Sequence, residues 1–156
     1  MYIHRIGMTE SGLPSLPCLC ASFRRAARAL TQRYDEAVRP LGLRVTQFTI
    51  LQALSLTGEI SQGKLGQILA MDSTTLTRTL EHMRRAGWVS RRRGADRREW
   101  RLQLSSTGRD QFRRALPAWK KMQQQMASQF GDERWHDLFQ ITDQVTAFAI
   151  KPGDMS

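Results

Sequence analysis

Residues 72–104 read DSTTLTRTLEHMRRAGWVSRRRGADRREWRLQL, and this stretch decides the fold. Leu76, Leu80 and Met83 recur at the spacing of one helical stripe. At about 100° per residue, the opposite side carries Thr74, Arg78, Glu81 and Arg85, with Thr77 and His82 flanking. Asp72 reads as the N-cap of this helix, and Ala86-Gly87 as its stop. Trp88-Val89-Ser90 then leads through Arg91-Arg92-Arg93 to a Gly-Ala-Asp turn, and Arg101-Leu102-Gln103-Leu104 alternates as a half-buried strand does. A helix followed by a hairpin with a basic tip is the plan of a winged helix-turn-helix. Such a helix fits the major groove of DNA, while the wing reaches backbone and minor groove.

Upstream, Ser61 is an N-cap for a helix from Gln62 to about Ala70 that would bury Leu65, Ile68 and Leu69. Only Met71 and its neighbours separate this helix from the next, so the pair forms the helix-turn-helix. Thr46 is the expected N-cap of an earlier helix to about Leu56, with Phe48, Leu51 and either Leu54 or Ile50 inward. Thr57-Gly58-Glu59-Ile60 reads as a turn.

Helices are expected on both sides of the winged module. Residues 1–15 mix Gly, Ser, Thr and Pro without periodicity, which predicts a flexible N-terminal arm. Residues 16–38 predict a helix with Pro17 in its first turn and a stripe of Cys20, Phe23, Ala27, Leu30 and Tyr34; Arg39-Pro40-Leu41-Gly42 breaks it. Beyond the wing, Ser106 is the expected cap of a long helix to about Phe130, kinked by Pro117. Gly131 ends it, and Asp132 begins a last helix bearing Trp135, Leu138, Phe139, Val145 and Phe148. These stripes exceed what a small winged module can cover, so a second copy is expected to cover them. The fold class is therefore mainly α with a small β-hairpin wing. Residues 43–105 form the DNA-binding domain, and 16–42 with 106–150 form a helical dimerisation region.

Charge agrees with this reading. The 156 residues carry a net charge of +10. Ten arginines against four acids in residues 71–109 leave +6 there. Arginine forks suit phosphate and base edges; an anionic membrane surface is the second reading of the same charge. Alternate residues of a strand point opposite ways, so at most two of Arg91, Arg92 and Arg93 should meet phosphate. Glu81 either orients an arginine or reads cytosine. No apolar run is long enough for a membrane span, and no signal peptide is evident, so a cytoplasmic protein is expected. His4, His82 and His136 lack ligand spacing, and no catalytic constellation is visible. Neither enzyme activity, nor a metal, nor a cofactor is expected.

The chain resembles the MarR family of bacterial regulators over about residues 16–148. The resemblance lies in Leu43-x-x-Thr46-Gln47-Phe48-x-Ile50-Leu51 and in Leu65-Gly66-x-x-Leu69. It continues through Ser73-Thr74-Thr75-Leu76-Thr77-Arg78-x-Leu80 and Gly87-Trp88-Val89-x-Arg91. Asp96-Arg97-Arg98, followed by Leu104-Ser105-x-x-Gly108, is the most specific part. The resemblance implies a homodimer with one winged module per subunit, binding a pseudo-palindromic double-stranded operator as a repressor. It places Ser73, Thr74, Thr77 and Arg78 on bases and phosphates, and Arg98 with Arg97 in the minor groove. Arg85 is the other basic candidate on that helix. Asp96 would hold the wing by pairing with a nearby arginine. Release of DNA would follow binding of a small phenolic ligand or oxidation of a cysteine. A second reading keeps the winged module as a protein-interaction or membrane-surface adaptor that reads no sequence.

Cys20 admits two readings. It is either a small buried apolar side chain or a sensing thiol. Cys20 with Tyr34 on the same stripe resembles the organic-hydroperoxide-sensing branch of the family, although that branch's second tyrosine is Val45 here. If both cysteines are helical, Cys18 lies about 160° around the wheel from Cys20, and a bond between them would strain the helix. Oxidation would then end in a mixed disulfide, an inter-subunit bond or an over-oxidised product.

Overall fold

A computed structural model describes Gly12, Pro14 and residues 17–150. The expected N-terminal arm lies almost wholly outside the described residues. Helix α1 spans Leu19–Val38 and is followed by a 3-10 turn at Arg39–Leu41. Gly42 closes this turn in the left-handed region, at φ 75°. Helix α2 (Val45–Thr57), strand β1 (Ile60–Ser61), helix α3 (Gln62–Leu69) and helix α4 (Ser73–Arg85) follow. Strands β2 (Val89–Arg93) and β3 (Trp100–Leu104) form the wing, and helices α5 (Ser106–Phe130) and α6 (Asp132–Ala149) end the described chain.

The fold is mainly helical, with one small antiparallel sheet in the order β1-β3-β2. The wing is therefore more than a hairpin. Ile60 pairs with Leu102 and Ser61 with Arg101, so the expected turn before α3 contributes a third strand. On the other side of β3, Val89 pairs with Leu104 and Arg93 with Trp100.

The core gathers where α2, α3, α4, the sheet and α5 meet. Phe48, Ile50, Leu51, Leu54, Leu65, Leu76, Met83 and Leu102 are fully buried there. Removing each such side chain from water contributes about 1.5–3 kcal/mol. Both Ile50 and Leu54 point inward, whereas Ile68 is 49% exposed and does not join the core as the periodicity suggests. Phe48 stacks on Trp119 at 5.6 Å and tilts against Phe112 at 5.3 Å, which anchors α2 to the long helix. Gln111 is buried and its Nε2 donates to the Leu41 carbonyl at 2.6 Å.

Several helix starts differ from the sequence reading, each for a local reason. Cys18 is extended (φ −138°, ψ 117°) and is the N-cap of α1, so Pro17 precedes the helix instead of occupying its first turn. Helix α2 begins at Val45 rather than after Thr46, because the Asp35 carboxylate accepts the Val45 N–H at 2.6 Å. Ser105 caps α5 in place of Ser106. Its Oγ accepts from the Gly108 N–H at 2.9 Å and donates to the Gly87 carbonyl at 2.5 Å. The Ser105 N–H also donates to the Trp88 carbonyl at 3.1 Å, so the end of α4, the wing root and the start of α5 meet at one serine. Helix α5 continues unbroken through Pro117. No residue of α6 is buried, and Leu138, Phe139, Ile141 and Phe148 are exposed.

Candidate nucleic-acid interface

The turn between α3 and α4 presents α4 to solvent. Ala70 adopts φ 48°, and the Met71 N–H donates to the Gly66 carbonyl at 3.0 Å. A Cβ at Gly66 would lie 3.3 Å from the Met71 carbonyl oxygen, so the chain turns closely over this glycine and leaves little room for a side chain. Asp72 then caps α4, its Oδ1 accepting from the Thr75 N–H at 2.9 Å. These bonds from Thr75 hold the Asp72 carboxyl below its ordinary pKa.

One open groove along α4 is lined by Ser73, Thr74, Thr77, Arg78, Glu81, His82 and Arg85. The apolar stripe of Leu76, Leu80 and Met83 is buried beneath it. Thr77 Oγ1 accepts from Gln62 Nε2 of α3 at 2.9 Å. Arg78 is exposed and makes no ion pair among the described residues. Glu81 orients arginines: Arg84 donates to it at 2.9 and 3.2 Å, and Arg85 approaches at 3.4 Å. The Arg84 bond lowers the Glu81 pKa. Arg85 is thus partly engaged within its own helix, unlike Arg78.

The three wing arginines divide by strand face. Arg91 and Arg93 both lie over the Trp100 indole, at 4.3 and 3.8 Å from the ring centroid. Arg92 points the other way and binds Glu59 through Nη2 at 2.7 Å and Nε at 2.8 Å. Arg101 also donates to Glu59, at 3.3 Å, and the Arg92 bond lowers the Glu59 pKa. At the tip, Gly94 N–H donates to the Glu99 carbonyl at 2.9 Å. Asp96 does not pair with an arginine side chain among the described residues; its Oδ1 accepts from the Arg98 backbone N–H at 2.9 Å. That bond closes the turn, and Arg97 and Arg98 are exposed and without ion pairs among the described residues. Glu59, Gln62 and Trp100 were not singled out from sequence, because each acts across strands or helices.

The sensor candidates do not come together within one chain. Cys18 and Cys20 are free and exposed in the single chain. Tyr34 lies fourteen residues beyond Cys20 on α1, about 21 Å along a helix, and its hydroxyl donates to Gln123 Oε1 at 2.6 Å. Burial raises the Tyr34 pKa. The helical-wheel argument against a Cys18–Cys20 bond lapses, since Cys18 stands outside the helix. Tyr34, Val45, Thr49, Leu69, Met71 and Thr75 line a crevice between α1 and the winged module. Among the described residues, no group of His, Cys, Asp and Glu could hold a metal ion, and no helix is long and apolar enough to cross a membrane.

The sequence pattern of the MarR family matches residues 43–100. The M. tuberculosis transcriptional regulator MosR, solved in complex with DNA, is 37% identical; the match covers 85% of this chain and 99% of MosR, with a TM-score of 0.74. The chain belongs to the MarR family. It is a DNA-binding transcriptional regulator rather than an enzyme. An uncharacterised HTH-type transcriptional regulator of Bacillus subtilis, YwoH, is 27% identical over 115 residues, 74% of this chain and 84% of YwoH. A mutant MarR from E. coli complexed with operator DNA shares the fold at a TM-score of 0.73 and 20% identity, over 81% of this chain and 92% of that one.

Proposed function

We propose that this MarR-family regulator acts in the cytoplasm as a homodimeric repressor of a pseudo-palindromic operator. Ser73, Thr74, Thr77 and Arg78 meet the major groove, and Arg97 with Arg98 enters the minor groove. The observation that carries this reading is the contrast in arginine partners. Arg84, Arg92 and Arg101 are tied to acids, whereas Arg78, Arg97 and Arg98 are exposed and lack ion pairs among the described residues. Cations left this way on a groove-sized helix and on a wing tip fit phosphate and base edges. The apolar face of α6, with Leu138, Phe139 and Ile141 exposed, supports a second copy as its cover.

Release follows from either of two inputs. One is a small phenolic compound taken up in the crevice beside Tyr34. Alternatively, an organic hydroperoxide oxidises the exposed Cys20 thiol: the peroxide O–O bond breaks, its terminal hydroxyl joins the sulfur as a sulfenic acid, and the thiol proton leaves with the other oxygen as an alcohol. Either input acts only through unequal affinity for two separations of the recognition helices.

The test is selection of duplexes from a random pool by the purified protein, with and without hydroperoxide. Recovery of a two-half-site sequence, lost on oxidation in the native protein but retained in a Cys20→Ser variant, is expected. Equal release of both proteins would transfer the switch to the small-molecule crevice. Equal binding of selected and scrambled duplexes would favour an adaptor that reads no sequence. Replacing Leu138 and Phe139 by glutamate should yield monomers in sedimentation.

A further inference from the structure

The inner face of the wing's sheet packs into the core through Val89, Leu102 and Leu104, whereas its outer face is joined to the start of the module by side chains. Strand β1 offers only two paired residues, Ile60 with Leu102 and Ser61 with Arg101. Glu59 precedes them and, by strand alternation, shares the outer face of the sheet with Ser61. Its carboxylate crosses β3 to reach β2. Oε1 accepts from Arg92 Nη2 at 2.7 Å, Oε2 from Arg92 Nε at 2.8 Å, and Oε1 again from Arg101 Nε at 3.3 Å. One side chain therefore spans all three strands, with the two-pronged fork that an arginine makes with a carboxylate. Arg101 is further approached by Glu99 at 3.6 Å.

We propose that Glu59 is a positioning residue for DNA binding: by holding Arg92 and Arg101 it fixes the wing to the body and so delivers Arg97 and Arg98 to the duplex. This rests on the DNA-binding reading above. Glu59 touches no DNA in this account and acts through the strands it ties. The alternative for an acid beside a basic face is simple repulsion of phosphate. The two accounts predict opposite signs, which makes them separable.

The probe is the duplex that the native protein selects from a random pool, followed by fluorescence anisotropy at several salt concentrations. Glu59→Gln removes one negative charge, so bare electrostatics predicts tighter binding. The positioning account predicts about three- to ten-fold weaker binding and a salt slope shallower by about one unit. It also predicts that Arg98→Ala adds little in the Glu59→Gln background. The double variant Glu59→Gln/Arg92→Gln loses one acid and one base, keeps the native net charge, and should bind as weakly as Glu59→Gln. Unchanged or tighter binding by Glu59→Gln, or native binding by the double variant, would overturn the proposal. Thermal melts of both variants separate loss of the tie from loss of the fold. A native protein that selects no duplex would instead overturn the DNA-binding reading itself, and this inference with it.

Discussion

Gln62 Nε2 donates to Thr77 Oγ1 at 2.9 Å, joining the first turn of α3 to the exposed side of α4. The neighbouring Thr79 spends its hydroxyl on the Thr75 carbonyl one turn back, at 2.9 Å. Thr77 instead receives a bond at its oxygen, and under the proposed DNA-binding reading its own proton is left for a base acceptor. Gln62→Ala should therefore relax base preference at one position per half-site while leaving the salt slope of binding unchanged. Selection of duplexes by the variant, with the slope measured by anisotropy, checks both halves. A changed slope with unchanged preference would place Gln62 against phosphate.

Arg78 and Arg98 should fail differently. Arg78→Ala is expected to cost about 1–3 kcal/mol of binding and to loosen sequence choice. Arg98→Ala should weaken all duplexes alike and flatten the salt slope by about one unit. If neither variant loses affinity in a titration, the assigned face is wrong.

Gly108 is buried at the start of α5, and a Cβ there would fall on the Trp88 carbonyl. Backbone cannot move aside as a flexible side chain does. Gly108→Ala should lower stability by about 1–3 kcal/mol, read as a shifted urea midpoint with an unchanged slope. A melt equal to that of the native protein would mean the helix can slide at no cost.

Acid should weaken the cap of α4. The Asp72 pKa is lowered by its bonds to Thr75, so the folded state holds that proton less tightly than the unfolded chain. The stabilisation is present above the ordinary value of 3.8 and fades as pH falls through the lower folded value. Asp72→Asn should thus melt below the native protein at neutral pH, with the two curves converging on acidification. Parallel curves across the acid range would assign the cap to hydrogen bonding alone.

Local signals in the chain were readable. The stripe of Leu76, Leu80 and Met83 is buried as its spacing predicts, Asp72 caps α4, and Gly87 follows it at φ 75°. Ser61 caps α3 as expected, its side chain accepting from the Lys64 N–H. What escaped was set by partners distant in sequence. The start of α2 depends on Asp35, ten residues earlier, and no pattern around Thr46 announces it. Between the adjacent Ser105 and Ser106, cap chemistry alone cannot choose; the Gly87 carbonyl across the wing does. Strand β1 is two residues long, too short for alternation to register, and only pairing with β3 defines it. Glu59 became visible once that third strand placed it beside Arg92. Of the three consecutive arginines, alternation correctly separates Arg92 from its neighbours, but the Trp100 ring beneath Arg91 and Arg93 depends on hairpin register.

The Ser105 junction has a mechanical corollary. Its bonds to Gly87, Trp88 and Gly108 weld the reading helix, the root of the β-finger and the head of the longest rod into a single casting. Torque applied to that rod by a companion subunit would be passed to the other two through these bonds. An adjustment of span between two half-sites would then fall outside it, where the chain turns at Gly42 or at Gly131.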